Sequence, residues 1–224
     1  MRPESSGERR WRQRLGAASR RVGGNHAQRL TWLLTLAQRD DPLATSSQEW
    51  RDISDDLYAF SLRSGFQLPS YTGSRSDTAP PALSPEQIRA IHATLRAGLR
   101  ALFAGSGGWS VPLRTLTRYV FRRDNGRLET RYGGDVPAAV PMTAADLLGE
   151  FGDRVRKCSA TGCTRIFLAV KRQAYCSPRC SQGVRTQKFL AAHRDVLNAR
   201  RRQHYAQVLK AKGAKVQTYR RHTT

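Results

Sequence analysis

Every cysteine of this 224-residue chain falls within one stretch of 23 residues, spaced Cys158-x4-Cys163-x12-Cys176-x3-Cys180. Two short-spaced thiol pairs constrain the local fold more than any other feature of the sequence. They can converge on one tetrahedral ion, which replaces the apolar core that so short a segment cannot build. Disulfides are the competing use of such thiols. The first residues carry arginines but not the apolar run of roughly 7–15 residues that a secretory signal needs. The longest apolar run, Leu30 to Ala37, is far short of the ~20 residues of a membrane helix. The expectation is a cytoplasmic protein with no membrane partner, where thiols stay reduced.

Residues around the cysteines support a metal site. Ile166, Phe167, Leu168 and Val170 read as a strand, Lys171-Arg172-Gln173 as a turn, and Ala174-Tyr175 as a short returning strand. In Cys176-Ser177-Pro178-Arg179-Cys180, Ser177 suits a helix N-cap and Pro178 the first helical position. A knuckle, a hairpin and ligands from a helix start describe a treble-clef-like module holding one structural Zn2+ on Cys158, Cys163, Cys176 and Cys180. A redox pair would need CxxC spacing. A catalytic zinc keeps an open position, and the nearest histidines, His193 and His204, fall on a later helix. An iron–sulfur cluster uses the same number of thiolates, but the hairpin spacing favours zinc.

Charge divides the chain. The net +22 splits into +6 over residues 1–29, −1 over 30–153 and +17 over 154–224, where Asp195 is the single acid. Ordinary solvated surfaces mix both signs, so a polyanion is the expected partner of the basic ends. Candidate phosphate contacts are Lys171, Arg172, Arg179, Arg185, Lys188, Arg194, Arg200, Arg201 and Arg202. A helix is predicted from Ser181 to Lys212. Its apolar residues, Phe189, Leu190, Val196, Leu197, Val208 and Leu209, gather mostly within one third of the circumference, while the cations surround it.

The remaining segments read as a mainly helical body. Residues 1–29, polar and aperiodic, are expected to be a disordered basic arm. A helix is predicted around Leu30–Leu36, and a second after the capping box Ser46/Glu49 with Trp50, Ile53, Leu57 and Phe60 on one face and Gly65 as its stop. Residues 68–82 read as an exposed loop. The strongest helix start is Ser84-Pro85 with Gln87 closing a capping box and Leu83/Ile88 as a hydrophobic staple; its apolar stripe runs to Phe103 and Gly105 ends it. Two strand-like runs between Leu116 and Tyr132 flank a hairpin turn at Asn125-Gly126. Thr143 and Asp146 are placed to cap a short last helix. Asp40, Asp41, Asp55 and Asp56 read as helix-end and surface acids. No phosphate loop, HExxH or GxSxG motif is present, so no enzymatic activity is expected. The fold class is mainly α with a small β-hairpin (α+β), in four segments: 1–29, 30–153, 154–182 and 183–224.

The run Cys158-Ser-Ala-Thr-Gly-Cys163-Thr-Arg-Ile-Phe167, then Arg172, Tyr175-Cys176-Ser177 and Cys180, resembles the CGNR-type zinc finger over about 30 residues. The stretch Ser84–Phe103 is similar to a helix of the ABATE region that precedes this finger. Cys180 is followed here by Ser181-Gln182-Gly183 in place of the Gly-Asn-Arg that names the family. The resemblance implies a bacterial, stress-linked transcription regulator that binds double-stranded DNA. Residues 30–153 would then sense a small-molecule effector or mediate homodimer association. The alternative is an RNA- or ribosome-associated zinc protein.

Overall fold

The computed structural model describes residues 6–43, 47–63, 66–67, 80–104, 108–111, 117–122 and 128–211. Seven α-helices and five short strands make up the described chain. It divides into two compact units, residues 1–158 with 164–176, and residues 159–163 with 177–224. The fold is mainly helical with a two-stranded antiparallel hairpin beside the cysteines, as the sequence predicts.

The first helix corrects the expectation of a disordered arm. Ser6–Val22 is α1, and Trp11, Ala18 and Val22 are buried in the core. With the partly buried Leu15 they recur at helical spacing, a narrow apolar stripe that eight arginines in the first 29 residues conceal from composition. The stripe packs on α3 (Ser47–Arg63), where the Trp11 ring meets Tyr58 edge-on at 5.4 Å. Two of the arginines are used in the same contact. Arg14 pairs with Asp55 at 3.1 Å and Arg21 with Asp56 at 2.7 Å. Asp55 and Asp56 are therefore not surface acids: both are buried, because α1 covers them. Asp40 and Asp41 are exposed as expected.

Burial outweighs the ion pair at Asp56 and pushes its carboxyl up from 3.8 to about 6. A folded-state pKa above the unfolded one means the folded chain binds the proton more tightly. The contribution of Asp56 to stability is then largest below about pH 4, falls as pH rises to about 6, and is flat above it. Asp55, raised by the same desolvation, adds to that slope. Urea midpoints compared near pH 4 and pH 7 should differ less in Asp56→Asn than in the wild type. An unchanged difference would show that Asp56 does not titrate with folding.

Helix α2 (His26–Ala37) begins with a capping box that the sequence reading missed, Asn25 accepting from the Gln28 amide while Gln28 returns the bond. Gly23, at φ +101, lets the chain turn tightly from α1 into it. Helix α4 (Pro85–Phe103) starts as predicted: Ser84 accepts from the Gln87 amide at 3.2 Å and the Gln87 side chain accepts from the Ser84 amide at 2.8 Å. Leu83 and Ile88, the expected staple, are both in the core. Ser46, Gly65, Gly105, residues 68–79 of the expected loop and the Asn125-Gly126 turn lie outside the described residues.

The flanking strands do pair. β2 (Thr117–Arg122) and β3 (Leu128–Gly133) are antiparallel with Arg122 opposite Leu128, and β1 (Phe66–Gln67) lies parallel on the other edge of β3. The last helix of the body is longer than predicted. α5 runs Val136–Glu150, started by Asp135 accepting from the Ala138 amide at 2.9 Å. Pro137 sits in its first turn, where the missing N–H costs nothing, and Pro141 removes one internal bond without ending the helix.

One core position depends on glycine. A Cβ on Gly98 of α4 would stand 2.3 Å from the Trp109 ring. Gly98→Ala gains about 1 kcal/mol of helix propensity but must displace that ring, costing about 1–3 kcal/mol. A lowered melting temperature is expected; a raised one would place the ring elsewhere.

Candidate metal centre and basic helices

The segment that carries the cysteines leaves α5 through a single 3-10 turn, Gly152–Arg154, and enters strand β4 (Val155–Lys157). β4 pairs antiparallel with β5 (Ile166–Leu168), Lys157 opposite Ile166 and Val155 opposite Leu168. The expected hairpin is thus displaced. β5 returns on the strand before Cys158, not on Ala174-Tyr175, because the knuckle itself reverses the chain. In that knuckle the Cys158 amide donates to the Arg165 carbonyl at 2.8 Å and the Cys163 amide to the Ala160 carbonyl at 3.0 Å. Gly162 takes φ +78, the left-handed conformation that brings Cys163 back toward Cys158.

Two glutamines, neither signalled by the sequence, hold β5 and the loop after it. Gln38, at the end of α2, donates to the Ile166 carbonyl at 2.8 Å and accepts from the Ile166 amide at 2.7 Å. It thereby acts as a strand neighbour on β5. Gln173 accepts from the Val170 amide at 3.2 Å and donates to the Tyr175 carbonyl at 2.8 Å, shaping the loop that delivers Cys176. The turn falls at Lys171-Arg172 as predicted, with Lys171 at φ +55. Ser177 then caps α6 (Pro178–Ala192), its hydroxyl accepting from the Cys180 amide at 3.3 Å, with Pro178 at the first position. This helix start matches the sequence reading.

The four sulfurs of Cys158, Cys163, Cys176 and Cys180 lie within 4.8 Å of one another. Thiolates ~2.3 Å from a tetrahedral ion stand about 3.8 Å apart, so the set closes on a metal with small side-chain adjustments. Cys158 is 6% exposed, and its sulfur accepts a hydrogen bond from the Cys176 amide at 3.4 Å. Cys180 sits in the first turn of α6. The donor chemistry fits a metal ion: sulfur only, partly desolvated, with an amide donor to offset charge. His193, set aside in the sequence as lying on a later helix, stacks on Phe189 at 4.3 Å with Nδ1 3.0 Å from the Phe189 carbonyl oxygen. It does not join the cysteines.

The expected helix over 181–212 is two helices. α6 ends at Ala192, and α7 (Arg194–Ala211) follows directly. His193 marks the break, with φ −113 and ψ 13, where its ring competes for the Phe189 carbonyl. Neither helix buries a residue. Of the apolar residues singled out in the sequence, Phe189, Leu190 and Val196 are exposed while Leu197, Val208 and Leu209 are half-buried. Lys171 and Arg172 occupy the turn after β5, Arg179, Arg185 and Lys188 lie on α6, and Arg194, Arg200, Arg201 and Arg202 lie on α7. All nine are exposed, and among the described residues none has a carboxylate partner.

Among the described residues no helix is long and apolar enough to cross a membrane. No family model, curated protein or solved structure matches the chain. The likeness to the CGNR finger accordingly rests on the residues quoted for it.

Proposed function

We propose that this chain is a zinc-stabilised DNA-binding protein, a transcription regulator of the kind the CGNR resemblance implies. The observation that carries the reading is the pair α6 and α7. They present eight Lys and Arg against Asp195 alone, exposed and without an ion-pair partner among the described residues. Surface cations left unpaired in this way meet phosphates and release their counterions. Zinc is the metal of choice for four thiolates in a closed tetrahedral set, which leaves no position for substrate. The ion folds the segment that leads into α6, and chemistry is not its task. Residues 30–153, close to neutral, serve as the sensing or association body.

Titration of the metal-loaded chain with duplex DNA at increasing salt tests the reading. With about six phosphates neutralised, affinity should fall on the order of 10³-fold between 50 and 200 mM salt. A salt-independent or absent affinity would sink it. Competition with structured RNA at equal salt separates the readings, since preference for RNA would move the protein to the RNA-associated alternative.

A further inference from the structure

Within the first unit a cavity of about 580 Å³ opens between the last turns of α4 and the β4–β5 pair. Arg96, Arg100, Lys157 and Arg165 line it, against Asp40 alone. Arg96 is engaged: its Nη2 lies 3.4 Å from the Asp40 carboxylate and its Nη1 donates to the Arg39 carbonyl at 3.3 Å. Arg100, Lys157 and Arg165 have no carboxylate partner among the described residues. Three cations on one opening repel one another, a cost that an anion between them would relieve.

Apart from Gln38 and Thr164, the rest of the lining is apolar. Ala37 and Leu99 are buried, and Phe103 and Ile166 are half-buried. A phosphodiester backbone offers nothing to fill that floor, so the cavity is unsuited to nucleic acid. Its volume lies in the range of small-molecule sites, about 300–1,000 Å³. The geometry points to a binding site for a small organic anion: an apolar, ring-sized body carrying one carboxylate, sulfonate or phosphate. The anionic group lies among Arg100, Lys157 and Arg165, and the apolar body rests on Leu99, Phe103 and Ile166.

The site has a direct line to the metal knuckle. Lys157 immediately precedes Cys158, Arg165 follows Cys163 by two residues, and the Cys158 amide donates to the Arg165 carbonyl at 2.8 Å. An anion held by Lys157 and Arg165 stiffens the turn that presents two metal ligands. This last role, as an effector acting on the DNA-binding module, rests on the proposed function; the anion site does not.

The test uses the full metal-loaded chain and no nucleic acid, so it can fail or succeed independently of DNA binding. Anilinonaphthalene sulfonate serves as the anionic probe and N-phenylnaphthylamine as its uncharged counterpart. Saturable binding of the sulfonate near one per chain is expected, with the neutral compound about tenfold weaker. Arg100→Gln and Arg165→Gln should each weaken the sulfonate about tenfold and leave the neutral compound's affinity and the melting temperature unchanged. Lys210→Gln, which removes an exposed cation from α7, should change nothing. Equal affinity for the two probes, or sulfonate binding that survives both Arg substitutions, would overturn the assignment. So would loss in the Lys210 variant equal to that in the other two.

Discussion

Stripping the metal is expected to dissolve the start of α6 while leaving β5 in place. The purified chain should carry about one zinc, and chelation, or Cys176→Ser with Cys180→Ser, should release it. Apparent binding in such modules is worth ~10–16 kcal/mol near neutral pH, far more than the isolated Ser177 cap of about 1 kcal/mol. The thiolates therefore decide whether residues 176–180 hold their turn. β5 has other support. Gln38 bonds both the amide and the carbonyl of Ile166, and Val155 and Ala169 are buried beside it. Hydrogen exchange read residue by residue distinguishes the two. The Cys180 amide should lose protection on chelation, and the Ile166 amide should keep most of its own. An undiminished Cys180 amide in a metal-free chain would refute a structural ion, and collapse of both would show that Gln38 contributes little. Gly162→Ala offers a milder version of the same experiment, because a side chain at φ +78 is strained by roughly 1–2 kcal/mol.

Replacing Arg200, Arg201 and Arg202 together with alanine should weaken duplex binding about 100-fold near 0.1 M salt. Consecutive helical residues are ~100° apart, so about two of the three can face a duplex at once. Each phosphate contact contributes a salt exponent of about 0.9. The slope of log affinity against log salt should then shrink by about two. All three side chains are exposed and alanine favours helix, so circular dichroism should not change. A slope that stays the same would mean that α7 does not touch the polyanion. The remaining contacts would then fall to Lys171, Arg172 and the cations of α6.

Some of the local chemistry, between residues a few positions apart, was legible in the sequence. The Ser84 capping box, the Ser177 cap with Pro178, and the Leu83–Ile88 staple positions follow from neighbours in the chain, and the structure has each. The cysteine spacing predicted that the four thiols converge, and the structure brings their sulfurs within 4.8 Å of one another. The Asn25–Gln28 box and the Asp135 cap escaped although they are local; the other misses depend on distant partners. Asp55 and Asp56 read as surface acids until α1 covers them, and α1 read as an arm because its Arg content masks the Trp11–Val22 stripe. β5 has the composition of a strand, but only the pairing shows that it lies against β4. Gln38 carried no signal at all, since its partner Ile166 is 128 residues away.

The sequence by itself determined the four-cysteine cluster, the starts of α4 and α6 and the basic character of residues 178–211. Those properties reside in side-chain type and short spacing, and they hold in any fold the chain adopts. Only the tertiary structure decided which arginines are spent on carboxylates and which are not. Arg14 and Arg21 are tied to buried acids of α3, Arg96 to Asp40, while Arg100, Arg165 and the cations of α6 and α7 have no such partner among the described residues. Alike in charge, they differ in which carboxylates the fold brings within 4 Å of them.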